Sequence, residues 1–277
     1  MSLIYGDNFY EKQYEYPEDI DVYEGLFFGL FNGANVVSAK KLILPLLELR
    51  GENDYGWMFG GCSLLIEAPK LPATTLAKYC YNGMFEYCST LTTAPNLPAT
   101  TLADSCYYYM FGDCTALTTA PALPATTLAQ DCYDSMFQGC TALTTAPELP
   151  ATTLANYCYN YMFENCRSLT TAPELPATTL ISNCYNAMFK GCTSLTTAPE
   201  LPATTLVKNC YDNMFYGCSN LNYIKAMFTT TPSATYTKNW VSGVSATGTF
   251  VKNSAAQWDV SGDNGIPSGW TVQTAIS

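Results

Sequence analysis

The chain has 277 residues, 48% of them hydrophobic and only 13% charged. Its formal net charge is −11, with ten acidic residues against four basic ones before Tyr55, and it has no basic stripe of the kind a nucleic-acid binder needs. Histidine is absent, which excludes Ser-His-Asp and Cys-His catalysis, histidine-liganded zinc and histidine pH switching.

In chain order, Met1–Asp7 has neither the basic start nor the apolar middle of a signal peptide, and no apolar run reaches the length of a membrane span. Residues 1–57 are expected to form an N-terminal cap with one degenerate repeat. Leu30-Phe31-Asn32-Gly33-Ala34 is a worn copy of a block that returns later, and the step from Phe31 to Phe59 is 28 residues.

From 58 to 222 the chain repeats. Leu-Pro-Ala-Thr-Thr-Leu occurs six times, at Leu71–Leu76 through Leu201–Leu206, every 26 residues without slippage. Met-Phe-x-x-Cys keeps the same step seven times, from Met58 to Cys218. A fixed period in this range signals a solenoid or a propeller, whose units bury their apolar faces on each other.

The unit Cys140–Cys166 serves as the type. Thr-rich Leu143–Ala146 reads as a short strand, stopped by Pro147 and Pro150. Ala151–Leu154 reads as a turn. Cys158, Met162 and Cys166 are spaced by four, which predicts one face of a short helix over Cys158–Phe163, with Thr152 or Thr153 as N-cap. Leu143, Ala146, Leu149, Leu154, Cys158, Met162, Phe163 and Cys166 do not vary between units and are assigned to the core. Pairs such as Lys78-Tyr79, Asp104-Ser105, Gln130-Asp131 and Asn156-Tyr157 do vary, as a solvated surface or a binding face would.

Residues 223–277 are expected to be a C-terminal cap. The six-residue block stops, glycines cluster after Ser242, and Thr249–Val251 and Trp270–Val272 look like two short strands.

Several columns invite a functional reading beside a plain one. There are 13 cysteines, an odd number, in two columns. Stacked thiols suit metal or disulfides, but also a buried, reduced core. Glu148, Glu174 and Glu200 share a column with Lys70, Asn96 and Ala122, so a cation site competes with solvated carboxylates. Adjacent threonines such as Thr118-Thr119 should point to opposite faces of a strand, which argues against a flat ice-binding array. The unvarying tyrosines, Tyr81 through Tyr211, fit packing between units. Tyr79, Tyr108, Tyr109, Tyr157 and Tyr161 stand at variable positions and are the better ligand contacts.

The pattern Cys-x-x-Leu-x-x-Ala-Pro-x-Leu-Pro, followed by Leu, Cys and Met-Phe-x-x-Cys, resembles the BspA-like leucine-rich-repeat family of bacterial surface proteins over about Phe31 to Ile224. Here Met-Phe stands where that family has Ala-Phe. A subgroup from gut bacteria and their phages is similar in its Leu-Pro-Ala-Thr-Thr-Leu repeats and in tails like Gly265–Trp270. The resemblance implies a right-handed solenoid of coils, with short strands on one side, short helical segments on the other and caps at both ends. It also implies that Ser2–Phe9 follows upstream domains, so that Met1 is an internal start.

The function expected on this basis is non-enzymatic recognition or adhesion at the cell surface or outside the cell. The partner would be a host or microbial protein or glycan, with no nucleic acid, cofactor, catalytic residue, metal or membrane span, and the protein would be a monomer. A phage tail-associated receptor-binding module, carried on a virion, is the alternative. An enzyme of unknown class is the remote one.

Overall fold

The structure is a computed structural model that describes residues 25–275. The Ser2–Phe9 segment and the first 24 residues of the expected N-terminal cap lie outside the described residues.

Each 26-residue unit bonds its backbone to the equivalent residues of the next. The densest contacts run through the segment between the two cysteine columns. Over Tyr79–Cys88 every backbone N–H is used, in strict alternation. Tyr79, Tyr81, Gly83, Phe85 and Tyr87 donate to the carbonyls of Asp104, Cys106, Tyr108, Met110 and Gly112 in the next unit, at 2.8–3.1 Å. Cys80, Asn82, Met84, Glu86 and Cys88 donate to carbonyls three residues back. The same pattern holds over Cys158–Cys166.

This overturns the predicted helix at Cys158–Phe163. No helix occurs among the described residues. Every fourth residue of the segment is left-handed instead, at Tyr157 (φ 57°), Tyr161 (φ 51°) and Asn165 (φ 59°). Each one closes a turn and swings the next peptide along the stack. A helix of so few residues is marginal alone, whereas the stacked turns satisfy their donors alternately within the unit and against the neighbouring one. Cys158, Met162 and Cys166 do share one buried face, because a run of four-residue turns repeats every four residues much as a helix nearly does.

The strand side is also thinner than predicted. Leu143–Ala146 carries a single bridge, Thr145 to Thr171, and not a four-residue strand. Ala151–Leu154, expected to be a turn, holds a second bridge position, Thr127 to Thr153. With bridges only one residue long, pleat alternation fails. Thr144 and Thr145 are both exposed, as are Thr118 and Thr119, contrary to the expected opposite facing. Thr118 donates both its N–H (3.0 Å) and its hydroxyl (3.1 Å) to the Thr92 carbonyl one unit back.

The interior is a set of columns. Tyr81, Tyr107, Tyr133, Tyr159, Tyr185 and Tyr211 stack with ring centroids 5.7–5.9 Å apart. A parallel column of phenylalanines runs from Phe59 to Phe215. Offset stacks of this kind add about 0.5–1.5 kcal/mol per pair beyond area burial. The cysteines and methionines lie beside them, fully buried.

The regular strands come after the repeats. β1 (Tyr223–Ala226), β2 (Thr249–Lys252) and β3 (Thr271–Thr274) form a parallel sheet in the order β1-β2-β3. The two strands expected near Thr249 and Thr271 are therefore present. Trp240 lies against Tyr211, Phe215, Phe228 and Phe250 at centroid distances of 5.9–6.3 Å. Its indole N–H donates to the Gly265 carbonyl at 2.8 Å.

Candidate functional site

The turn ladder has an outer surface as well as a buried one. Its left-handed positions form three columns along the stack. One contains Asn53, Tyr79, Ser105, Asp131, Tyr157, Asn183 and Asn209, with φ between 52° and 60°. Glycine, asparagine and aspartate adopt this conformation most readily, and they fill many of these positions. Tyr79 and Tyr157 are the two tyrosines of the column. Serine and aspartate between them leave a gap.

A cleft of about 460 Å³ opens there across four successive units. One row of its lining is Tyr79, Ser105, Asp131 and Tyr157. The second row, three residues further along each unit, is Asn82, Tyr108, Asp134 and Asn160. Tyr157 is 39% exposed, whereas Ser105, Asp134 and Asn160 are buried in the floor.

The floor is hydrogen bonded across one unit step. Asn160 donates from Nδ2 to Asp134 Oδ2 at 2.8 Å, and Ser135 donates from its hydroxyl to Asp134 Oδ1 at 2.7 Å. Asn160 Oδ1 has no partner. Gln130 donates from Nε2 to Asp131 Oδ2 at 2.9 Å. Burial raises the Asp134 carboxyl to about 6; the Asn160 and Ser135 hydrogen bonds oppose this, and Asp131 adds to it. Burial first, and Asp134 next, raise the Tyr108 hydroxyl to about 12, so it stays protonated and can donate.

Of the sequence-predicted contacts, Tyr79, Tyr108 and Tyr157 are brought together at this cleft. Tyr109 and Tyr161 are not part of its lining. They occupy the neighbouring left-handed column, at φ 54° and 51°. Tyr109 packs against Tyr108 with ring centroids 5.0 Å apart, and the Lys190 amine sits 5.9 Å from the Tyr161 ring centroid. Glu148, Glu174 and Glu200 are exposed on the proline bends, away from the cleft lining. Glu200 pairs with Lys225 at 2.9 Å.

Sequence reasoning missed Asn82, Asp134 and Asn160, and it reached Ser105 and Asp131 only as members of variable pairs. A signal for the left-handed column was present, since Asn, Asp and Ser recur there at the 26-residue step. All 13 cysteines are buried and unpaired. Among the described residues, no group of three His, Cys, Asp or Glu side chains is placed to hold a metal ion, and no helix is long and apolar enough to cross a membrane.

Residues 129–239 match the family described as BspA type leucine rich repeat region, in six copies. Over that stretch the chain is similar to BspA-type leucine-rich repeats. Among solved structures, a leucine-rich repeat protein from Bacteroides ovatus ATCC 8483 is 16% identical, with a TM-score of 0.31. That comparison covers 82% of this chain and 71% of the other. No curated protein matches the chain.

Proposed function

We propose that the protein is a non-enzymatic recognition scaffold. It is a monomeric, right-handed solenoid whose stack is closed by residues 1–57 and 223–277 and displayed at the cell surface or outside the cell. It binds a protein or glycan partner through the turn-ladder cleft. The observation that carries this reading is the coincidence of the cleft with the departures from the repeat. The core columns barely change between units, yet at the cleft each unit differs from its neighbour in both lining rows, from Tyr79/Asn82 through Ser105/Tyr108 and Asp131/Asp134 to Tyr157/Asn160. Two of the bulkiest departures, Tyr79 and Tyr157, stand in left-handed backbone, which a tyrosine adopts only at a cost. Tyrosines offer a large contact area and a hydroxyl at low entropy cost, which suits recognition.

The test replaces each tyrosine by the residue other units carry at that position, as Y79N/Y108N/Y157N. Asparagine stands in these same columns at Asn82, Asn160, Asn183 and Asn209, so the variant should fold. Wild type and variant are screened side by side on glycan and host-protein arrays. A hit that weakens at least tenfold in the variant supports the cleft. Hits that all persist unchanged exclude it.

A further inference from the structure

We infer that the cleft takes a cation, and that the cation is a lysine or arginine side chain on a basic segment of a protein partner. This rests on the reading of the cleft as a binding site and deepens it.

Asn160 commits its amide nitrogen to Asp134 Oδ2, and this fixes which way the amide points. The atom left over, Oδ1, is an acceptor without a partner, on a side chain only 7% exposed. Asp134 accepts two hydrogen bonds, and Asp131 accepts one from Gln130. The group the floor leaves unmet is therefore an acceptor. An ammonium or guanidinium supplies several donors and the charge that two carboxylates favour. An anionic ligand would face Asp131 and Asp134 with nothing basic in the lining.

The walls point the same way. Aromatic faces attract cations, and the tyrosines of this surface already hold lysines of this chain. Lys78 Nζ lies 5.0 Å from the Tyr79 ring centroid, and Lys190 Nζ lies 5.9 Å from that of Tyr161. Lys78 is the residue before its ring, and Lys190, which also pairs with Glu164 at 2.9 Å, reaches its ring across one unit step. A lysine presented by a partner's backbone repeats that geometry, which favours a protein source over an amino sugar. The net charge of −11 adds long-range attraction for such a segment.

The charge also creates the main rival explanation, non-specific attraction, and the experiment is built to separate the two. The 277-residue chain is titrated with hexalysine by calorimetry, with hexaglutamate and a glucosamine tetramer as comparison probes. D131N removes one negative charge and places in the left-handed column the residue found there at Asn183 and Asn209. E148Q/E174Q/E200Q removes three charges from the proline bends. Y157N changes no charge. The expected result is that hexalysine binds, that D131N and Y157N each weaken it, D131N by roughly tenfold, and that the triple variant changes it less than twofold. Loss in the triple variant equal to that in D131N, or no binding of hexalysine, overturns the assignment. Tighter binding of the glucosamine tetramer than of hexalysine also overturns it, in favour of an amino sugar. An array hit lost in Y79N/Y108N/Y157N but unmoved in D131N keeps the cleft as a binding site and removes the cation.

Discussion

Cys140 donates its thiol proton to the Phe111 carbonyl, 3.1 Å away and one unit back. That carbonyl already accepts the Cys114 N–H at 3.1 Å, so the thiol fills its second lone pair. The relationship recurs from Cys88 to Phe59, Cys114 to Phe85, Cys166 to Phe137, Cys192 to Phe163 and Cys218 to Phe189, at 3.0–3.1 Å. The column is thus a chain of weak hydrogen bonds along the stack, and each bond requires a protonated thiol. Burial pushes these thiols up, and in the second column Cys106 and Cys158 reach about 12.

Thiolate is the reactive form. Native protein at pH 8 should therefore react slowly with a thiol reagent, and denatured protein without reductant should yield close to 13 equivalents. A denatured count well below that would mean disulfides, and fast native labelling would mean that the columns are accessible.

Two buried carboxyls make stability depend on pH. Glu86 is raised from 4.5 to about 7, by burial first and by Asp113 second. Asp134 is raised from 3.8 to about 6, by burial first. A carboxyl with a raised folded-state pKa favours the fold while protonated. Its contribution is fully present below the unfolded value and is lost as pH rises through the folded one. The protein should accordingly lose stability between pH 4 and pH 8 from these two groups. In E86Q the Glu86 part vanishes. The Tm of E86Q minus that of wild type should rise steadily across this range, and a flat difference would show that Glu86 is not the titrating group.

The period, the core columns and the end of the repeats near Tyr223 were legible because buried apolar positions recur at fixed spacing. The turn ladder was not legible from apolar spacing. Cys158, Met162 and Cys166 have the spacing of a helix face, and a four-residue turn run gives the same spacing. What separates the two is the backbone between them, marked by Gly61, Asp113, Gly139, Asn165, Gly191 and Gly217 ahead of the cysteines. Of the cleft, the tyrosines were visible as large residues at variable positions. Ser105, Asp131 and Asp134 were not, because they matter through the gap and the charge they leave, which only the stacking of four units assembles.

The left-handed columns can be tested directly. Gly191 has φ +73°, and a side chain there would meet Asn165 Oδ1. Gly191→Val should lower stability by about 2–4 kcal/mol, combining a β-branched residue in left-handed backbone with that contact. Asn213, at φ 52°, tolerates glycine, and Asn213→Gly should change stability by less than about 1 kcal/mol. Urea titrations of the two variants should differ clearly in midpoint. If the segment were helical, Asn213→Gly would be the costly change of the pair.

The stack also predicts which deletions matter. Removing residues 115–140 joins Cys114 to Thr141-Ala142-Leu143, the same tripeptide as Thr115-Ala116-Leu117. Phe111 then stacks on Phe163 in place of Phe137, and Tyr107 on Tyr159 in place of Tyr133. If only nearest neighbours interact, the shortened chain stays folded with a slightly lower Tm. It also loses Asp131 and Asp134, so partner binding should go while the fold stays. Trp240→Ala changes a single residue but should do more harm to the fold. Trp240 is fully buried against Tyr211, Phe215, Phe228 and Phe250, and its loss should cost about 3–5 kcal/mol. Circular dichroism melts and light scattering should show a monomeric unit deletion that melts above Trp240→Ala. The reverse order would sink both the nearest-neighbour picture and the closing role of the tryptophan.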